Sequence, residues 1–312
     1  MTDSSTSPLT APQQAAHDQT SSRGALIAIA WIATLLLSNL PLVIARDILG
    51  GDIPWIEAAW IGGAVLLLAA TYIWQGIQPL RGYFGVMALI LALTLIVTPL
   101  VAETSVWNSL VGGRSEMASI FGYRVLLAVQ ALVVLGVLIL FGRSRQEVFL
   151  VVGDLRASAR GIRFPGRKEP VGWTAFGATM AILLGGLFFL FLASQNTGAL
   201  SDFSVVLPWL PLILISAALN AFGEEGLFRA GPLSTLLSAV GGRHALWMTS
   251  VWFGLGHYYG GIPSGLIGAI MTGLLGALLG KAMLDTRGFA WPWLIHAVLD
   301  TVLYLFIAAT MA

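Results

Sequence analysis

Residues 205–229 read VVLPWLPLILISAALNAFGEEGLFR. From Val205 to Phe222 no side chain is charged, and the run is of the length, roughly 17–25 residues, that a helix needs to cross a bilayer. Glu224, Glu225 and Arg229 follow directly. Which solvent those groups meet is decided by the rest of the chain. Of 312 residues 57% are hydrophobic, 36 are Gly and only 10% are Asp, Glu, Lys or Arg, and the mean hydropathy is +0.86. A soluble domain is about a quarter charged, and a chain of about 300 residues cannot hide so much apolar surface in one core. The reading is an all-α, polytopic transmembrane helix bundle.

Further apolar runs lie near 25–45, 56–75, 83–102, 124–142, 173–193, 245–260, 264–283 and 289–309. With 205–222 they predict eight or nine spans, because the run at 245–260 is short and Gly-rich. Residues 1–23, rich in Ser, Thr, Gln and Pro, are expected to form a disordered cytoplasmic tail. Residues 24–142 then hold the N-terminal transmembrane helices, 143–172 a basic loop and 173–312 the C-terminal helices. The loop carries Arg143, Arg145, Arg156, Arg160, Arg163, Arg167 and Lys168, which makes it cytoplasmic by the positive-inside bias. Nine spans then put the N-terminus inside and Asp202 outside, with the segments holding Arg229, Arg243, Lys281 and Arg287 inside or near the inner interface. The absence of Cys removes disulfides, thiolate zinc and a thiol nucleophile. A net charge of +1 offers no field for nucleic acid. No internal repeat favours an inverted-repeat transporter.

An ionisable side chain inside a span costs about 2.5–3.5 kcal/mol on insertion scales and marks a functional site by default. Three clusters stand out. In N-A-F-G-E-E-G-L-F-R, Asn220 to Arg229, successive carboxylates point about 100° apart, so Glu225 pairs with Arg229 at i, i+4 while Glu224 faces elsewhere. In S-V-W-F-G-L-G-H, His257 follows Phe253 by one turn, and in W-P-W-L-I-H-A-V-L-D, His296 and Asp300 lie one turn apart in the last span. Singly these read as a helix-end ion pair, a structural histidine and interhelical glue. Together they point to one polar cavity, in which Glu224 takes a proton from water, His257 orients that water, and His296 with Asp300 steadies charge on a carbonyl oxygen. Glu224, His257 and His296 could alternatively hold a divalent metal such as zinc. Two other readings compete: a rhomboid-type serine protease using Ser264 with His296, and a non-catalytic scaffold or proton-coupled transporter. Ser264 is otherwise a helix cap. The small-residue ridges Gly265, Ala269, Gly273, Ala277 and Gly268, Thr272, Gly276, Gly280 predict close helix packing.

In chain order, E-E-G-L-F-R (224–229), F-G-L-G-H (253–257) and H-A-V-L-D (296–300) follow the pattern E-E-x-x-x-R, F-x-x-x-H, H-x-x-x-N/D. Over about 205–309 the chain resembles the type II CAAX prenyl endopeptidase and bacteriocin-processing (CPBP) intramembrane proteases, once classed as abortive-infection proteins. The resemblance implies a membrane hydrolase that cuts a peptide or protein substrate, lipid-modified in some members. Its water is activated at Glu224, its site is completed by His257, His296 and Asp300, and Glu225, Arg229 and Phe253 support it. Eukaryotic CAAX proteases carry Asn at the position of Asp300, and Asn can donate a hydrogen bond that an ionised Asp cannot. Asp300 is therefore protonated, part of a metal site, or an orienting partner for His296; the orienting role is preferred.

Overall fold

A computed structural model describes residues 11–112, 115–162, 169–196, 198 and 203–310, with side chains from Arg23 onward. Among these residues every named element is helical, as lipid requires of a backbone that must satisfy its own hydrogen bonds. Helix α1 (Ala11–Leu36) begins inside the stretch expected to be an unstructured tail. It is followed by α2 (Leu40–Val43), which runs into a π-turn at Ile44–Ile48. The expected single run at 25–45 is thus a broken span: Arg23–Leu36 and Leu40–Ile48 meet at 56°, where Pro41 in the first turn of α2 has no N–H to continue the ladder. Next come α3 (Ile56–Ile73), α4 (Arg81–Ala92), α5 (Thr98–Ala102), α6 (Ser105–Leu110) and α7 (Glu116–Leu140). After the loop follow α8 (Trp173–Gln195), α9 (Leu210–Glu224), α10 (Gly231–Val240), α11 (Gly242–Gly256), α12 (Gly265–Thr286) and α13 (Ala290–Thr310).

Seven helices are long and apolar enough to cross a membrane, or eight if the bent pair is one span, and the protein is a multi-pass membrane protein. Of the expected runs, only that at 245–260 fails this length and composition test. Its helix α11 has 15 residues, about 22 Å at 1.5 Å per residue. It nevertheless lies antiparallel along α12, with Leu246 against Gly280 and Gly254 against Gly273.

The basic loop is a packed strap. Asp154 N donates to Thr286 O at 2.8 Å, and Phe289 N to Val151 O at 2.8 Å, so residues 151–154 lie on the α12–α13 turn. Gly153, at φ +81, is needed there, since a Cβ would sit 2.6 Å from Gly288 Cα. Asp285 accepts from Lys281 Nζ (2.8 Å), Trp173 Nε1 (3.1 Å) and Arg160 N (3.1 Å). Arg163, Arg167, Lys168 and Asp202 lie outside the described residues. The helix groups on either side of the strap interlock: a Cβ on Gly223 of α9 would meet Leu127 of α7 at 2.7 Å, and one on Gly226 would meet Ala131 at 2.6 Å.

Candidate active site

The Glu224–Arg229 segment does not end its helix. α9 passes through a π-turn at Glu225–Ala230 into α10, and the whole of Leu207–Val240 is apolar enough to span. Pro232, in the first turn of α10, has no N–H for the Phe228 carbonyl, and a widened turn is the usual relief; such turns gather at functional sites. The consequence corrects the reading of a solvated helix end: Glu225 and Arg229 are both fully buried.

Their pairing is as the spacing requires. Arg229 Nη1 donates to Glu225 Oε1, its guanidinium lies 4.1 Å from the Phe253 ring centre, and its Nε donates to Gly276 O at 3.4 Å. A Cβ on Gly276 would sit 3.4 Å from Arg229 Nη2 and 3.3 Å from Phe253; the small-residue face of α12 thus admits the buried cation.

His296 is where the two carboxylates meet, although their spacing of about 100° predicts that Glu224 faces elsewhere. Its Nδ1 donates to Glu225 Oε1 at 2.7 Å, and its Nε2 lies 3.5 Å from Glu224 Oε2. An imidazole exposes its nitrogens on two edges, so carboxylates splayed along one helix can flank it. The orienting partner of His296 is therefore Glu225. Asp300 stands 3.6 Å from His296 Nε2, past hydrogen-bond reach, and accepts instead from Asn220 Nδ2 at 2.9 Å.

Asn220 also donates to Glu224 Oε1 at 3.2 Å, bridging the two carboxylates with one amide. His257 caps α11: its Nδ1 gives a hydrogen to Phe253 O at 2.9 Å, and its Nε2 lies 3.9 Å from Glu224 Oε2. Phe253 packs on both imidazoles, with ring centres at 4.4 Å and 6.2 Å. Side-chain exposure runs from 27% at His257 and 15% at Glu224 to 6% at His296 and 10% at Asp300, so the cluster is entered from the His257 edge. The next residue, Tyr258, is tied to the first broken span through a hydrogen bond to the Asp47 carboxylate, which favours the protonated phenol and raises its pKa above 10.0.

Glu224, Glu225, Arg229, Phe253, His257, His296 and Asp300 are thus all brought together. Sequence reasoning gave no role to Asn220 or to Arg124, whose Nε donates to Tyr304 Oη at 2.7 Å, one turn beyond Asp300. Arg124 carried a legible signal, a cation in an otherwise apolar run. Ser264 takes the N-cap position of α12, but its hydroxyl makes no capping bond. Among the described residues no group of three or more His, Cys, Asp or Glu is placed to hold a metal ion, and no step is derived through one.

No curated protein and no solved structure matches the chain. A family model does, that of the type II CAAX prenyl endopeptidase Rce1-like proteins, over residues 206–302. The matched segment holds every one of these clustered groups except Arg124 and Tyr304, and over this segment the chain is similar to that CAAX-protease-type family of membrane hydrolases.

Proposed function

We propose that the protein is an intramembrane endopeptidase that hydrolyses a peptide bond with a water activated by Glu224 and His257. The observation that carries this reading is the convergence of Glu224 Oε2 with Nε2 of His257 and of His296, at 3.9 Å and 3.5 Å, at the one edge of the cluster that is open. Because His257 gives its Nδ1 hydrogen to Phe253 O, its Nε2 lone pair faces Glu224. The gap between them suits a water that donates one hydrogen to each.

In the reaction Glu224 takes a proton from this water while the oxygen attacks the scissile carbonyl carbon, and the carbonyl electrons pass to its oxygen. His296 holds its Nδ1–H on Glu225 and, when doubly protonated, meets that oxyanion through Nε2–H. Collapse breaks the C–N bond. The leaving nitrogen takes the proton held by Glu224, which leaves an amine and a carboxylic acid, and the acid then loses its proton to water. Asn220 and Asp300 fix the second oxygen of Glu224 and the polar wall behind it.

The substrate is a peptide or protein presented from the bilayer, lipid-modified ones included. In this reading the protein lies in the cell membrane with its N-terminus in the cytoplasm, an orientation that the positive-inside bias of the strap arginines supports. Cleavage of a membrane peptide in liposomes tests the reading. Glu224→Gln should lose about 10²–10⁴-fold in turnover, Ser264→Ala should cleave normally, and a chelator should leave cleavage intact. Loss in Ser264→Ala alone would replace the glutamate by a serine mechanism, and zinc-reversible loss with chelator would replace it by a metal one.

A further inference from the structure

From Met117 to Leu140 helix α7 carries one charged side chain, Arg124, and three polar ones, Ser119, Tyr123 and Gln130. Arg124 is the ninth residue of the helix, about 12 Å from its N-terminal end at 1.5 Å per residue, a depth at which a guanidinium is costly and needs a reason. Among the described residues no carboxylate lies within 4.0 Å of its nitrogens. Its bond is Nε to Tyr304 Oη at 2.7 Å, and this leaves both Nη groups uncommitted.

Arg124 borders a half-open pocket of about 220 Å³, lined also by Thr94, Thr98, Tyr123, Leu127 and Gln130. Three of the wall side chains are hydrogen-bonded to one another or to backbone, Gln130 Nε2 donating to Thr98 Oγ1 (2.6 Å) and Leu93 O (3.1 Å), Thr98 to Leu93 O (3.1 Å) and Thr94 to Ile90 O (2.8 Å), and Tyr123 adds a phenol. The pocket therefore offers one cation among uncharged lining residues, within electrostatic reach of Glu224 and Asp300. It also abuts the candidate active site, since Leu127 packs on Gly223, the residue before Glu224, and Tyr304 lies one turn past Asp300.

We propose that Arg124 anchors a subsite that receives a carboxylate of the peptide substrate beside Glu224. This rests on the peptidase reading above. The charge calls for an anion, and the planar guanidinium matches a carboxylate through two parallel N–H bonds. A lipid phosphate is the competing anion, and the anionic-phospholipid arm of the test below distinguishes it. The cavity is smaller than the roughly 300–1,000 Å³ of drug-sized sites, so it takes a group of residue size. The carboxylate can come from the chain terminus or from an acidic side chain.

Binding to Glu224→Gln protein in zwitterionic nanodiscs separates this proposal from catalysis. Three fluorescent forms of one apolar peptide serve as probes: free C-terminal acid, C-terminal amide, and amide with an internal Glu. One of the two carboxylate forms should bind at least about 10-fold tighter than the plain amide, the worth of a hydrogen bond to a charged group; which one does identifies the source. Adding Arg124→Gln should abolish the preference, while Arg124→Lys, which keeps the charge, should retain part of it. Equal binding of all three forms, a preference that survives Arg124→Gln, or its erasure by anionic phospholipid would each overturn the subsite. Peptides that bind with this preference but are never cleaved by the wild type would instead sink the peptidase reading and leave the subsite standing.

Discussion

At the scale of single residues, Glu224 and Glu225 differ in what they neutralise, and this separates their substitutions. Glu225 is the counter-charge of a fully buried Arg229 and also holds His296 Nδ1. Breaking one side of a buried pair costs about 3–5 kcal/mol, because the remaining charge is stranded. Glu225→Gln should therefore lower the thermal melting point and the yield of monodisperse protein in detergent, whereas Glu224→Gln, at the open edge, should melt close to wild type while inactive. A Glu225→Gln protein as stable as the wild type would mean that Arg229 is compensated by something other than this carboxylate. The Glu225–Arg229 pair could be read from the sequence because both partners lie on one turn. Asn220 could not, since its partner Asp300 is 80 residues away, nor could the Tyr304 bond of Arg124, 180 residues away. A hydrogen bond across helices leaves no periodicity along either one.

At the scale of the element, the position of His257 depends on how closely α11 and α12 approach. A Cβ at Gly254 would lie 2.9 Å from Gly273 Cα and 3.0 Å from Gly273 N, both backbone, so a larger residue must push the helices apart. His257 is three residues further on, already 3.9 Å from Glu224, and misplacement by about 1 Å can cost roughly 10²-fold. Gly254→Leu should accordingly lose about that much turnover per folded molecule, as judged by peptide cleavage after size-exclusion chromatography. Gly256→Ala, where the added carbon has nothing within 4 Å, is the internal control and should cleave at the wild-type rate. Equal activities would show that close packing does not set the histidine. The helices themselves were legible because apolar runs in lipid admit little else, and the glycine ridge of α12 because small-residue spacing is local. The passage of α9 through Glu224–Arg229 into α10 was not, because charges followed by Pro232 resemble a helix end until neighbouring helices bury them.

At the scale of the whole molecule, the short helix α11 decides on which sides the termini lie. Arg23, midway along α1 at the start of its apolar half, meets the α10–α11 turn, where a Cβ on Gly241 would be 3.4 Å from Arg23 Nη2. Arg143 Nη1 donates to Ser234 O at 2.9 Å, and the strap that follows it lies on the α12–α13 turn. These four points define one end of the bundle. The opposite end holds Met117, Val206 and Ala308 in a common apolar cluster. Between these ends the eight spans of the length and composition test and α11 make nine passes, an odd number, so Gly24 and Thr310 should face opposite sides. A chain without Cys is a ready background for the test. Single cysteines at Gly24, Arg145, Asn108 and Thr310 can be reacted with a membrane-impermeant maleimide in sealed vesicles. Gly24→Cys and Arg145→Cys should label from one side, the cytoplasmic one by their arginine neighbours, and Asn108→Cys and Thr310→Cys from the other. Labelling of Thr310→Cys together with Gly24→Cys would mean that α11 turns back within the membrane. His257 would then hang from a re-entrant segment, and the open edge of the cluster would face the opposite compartment.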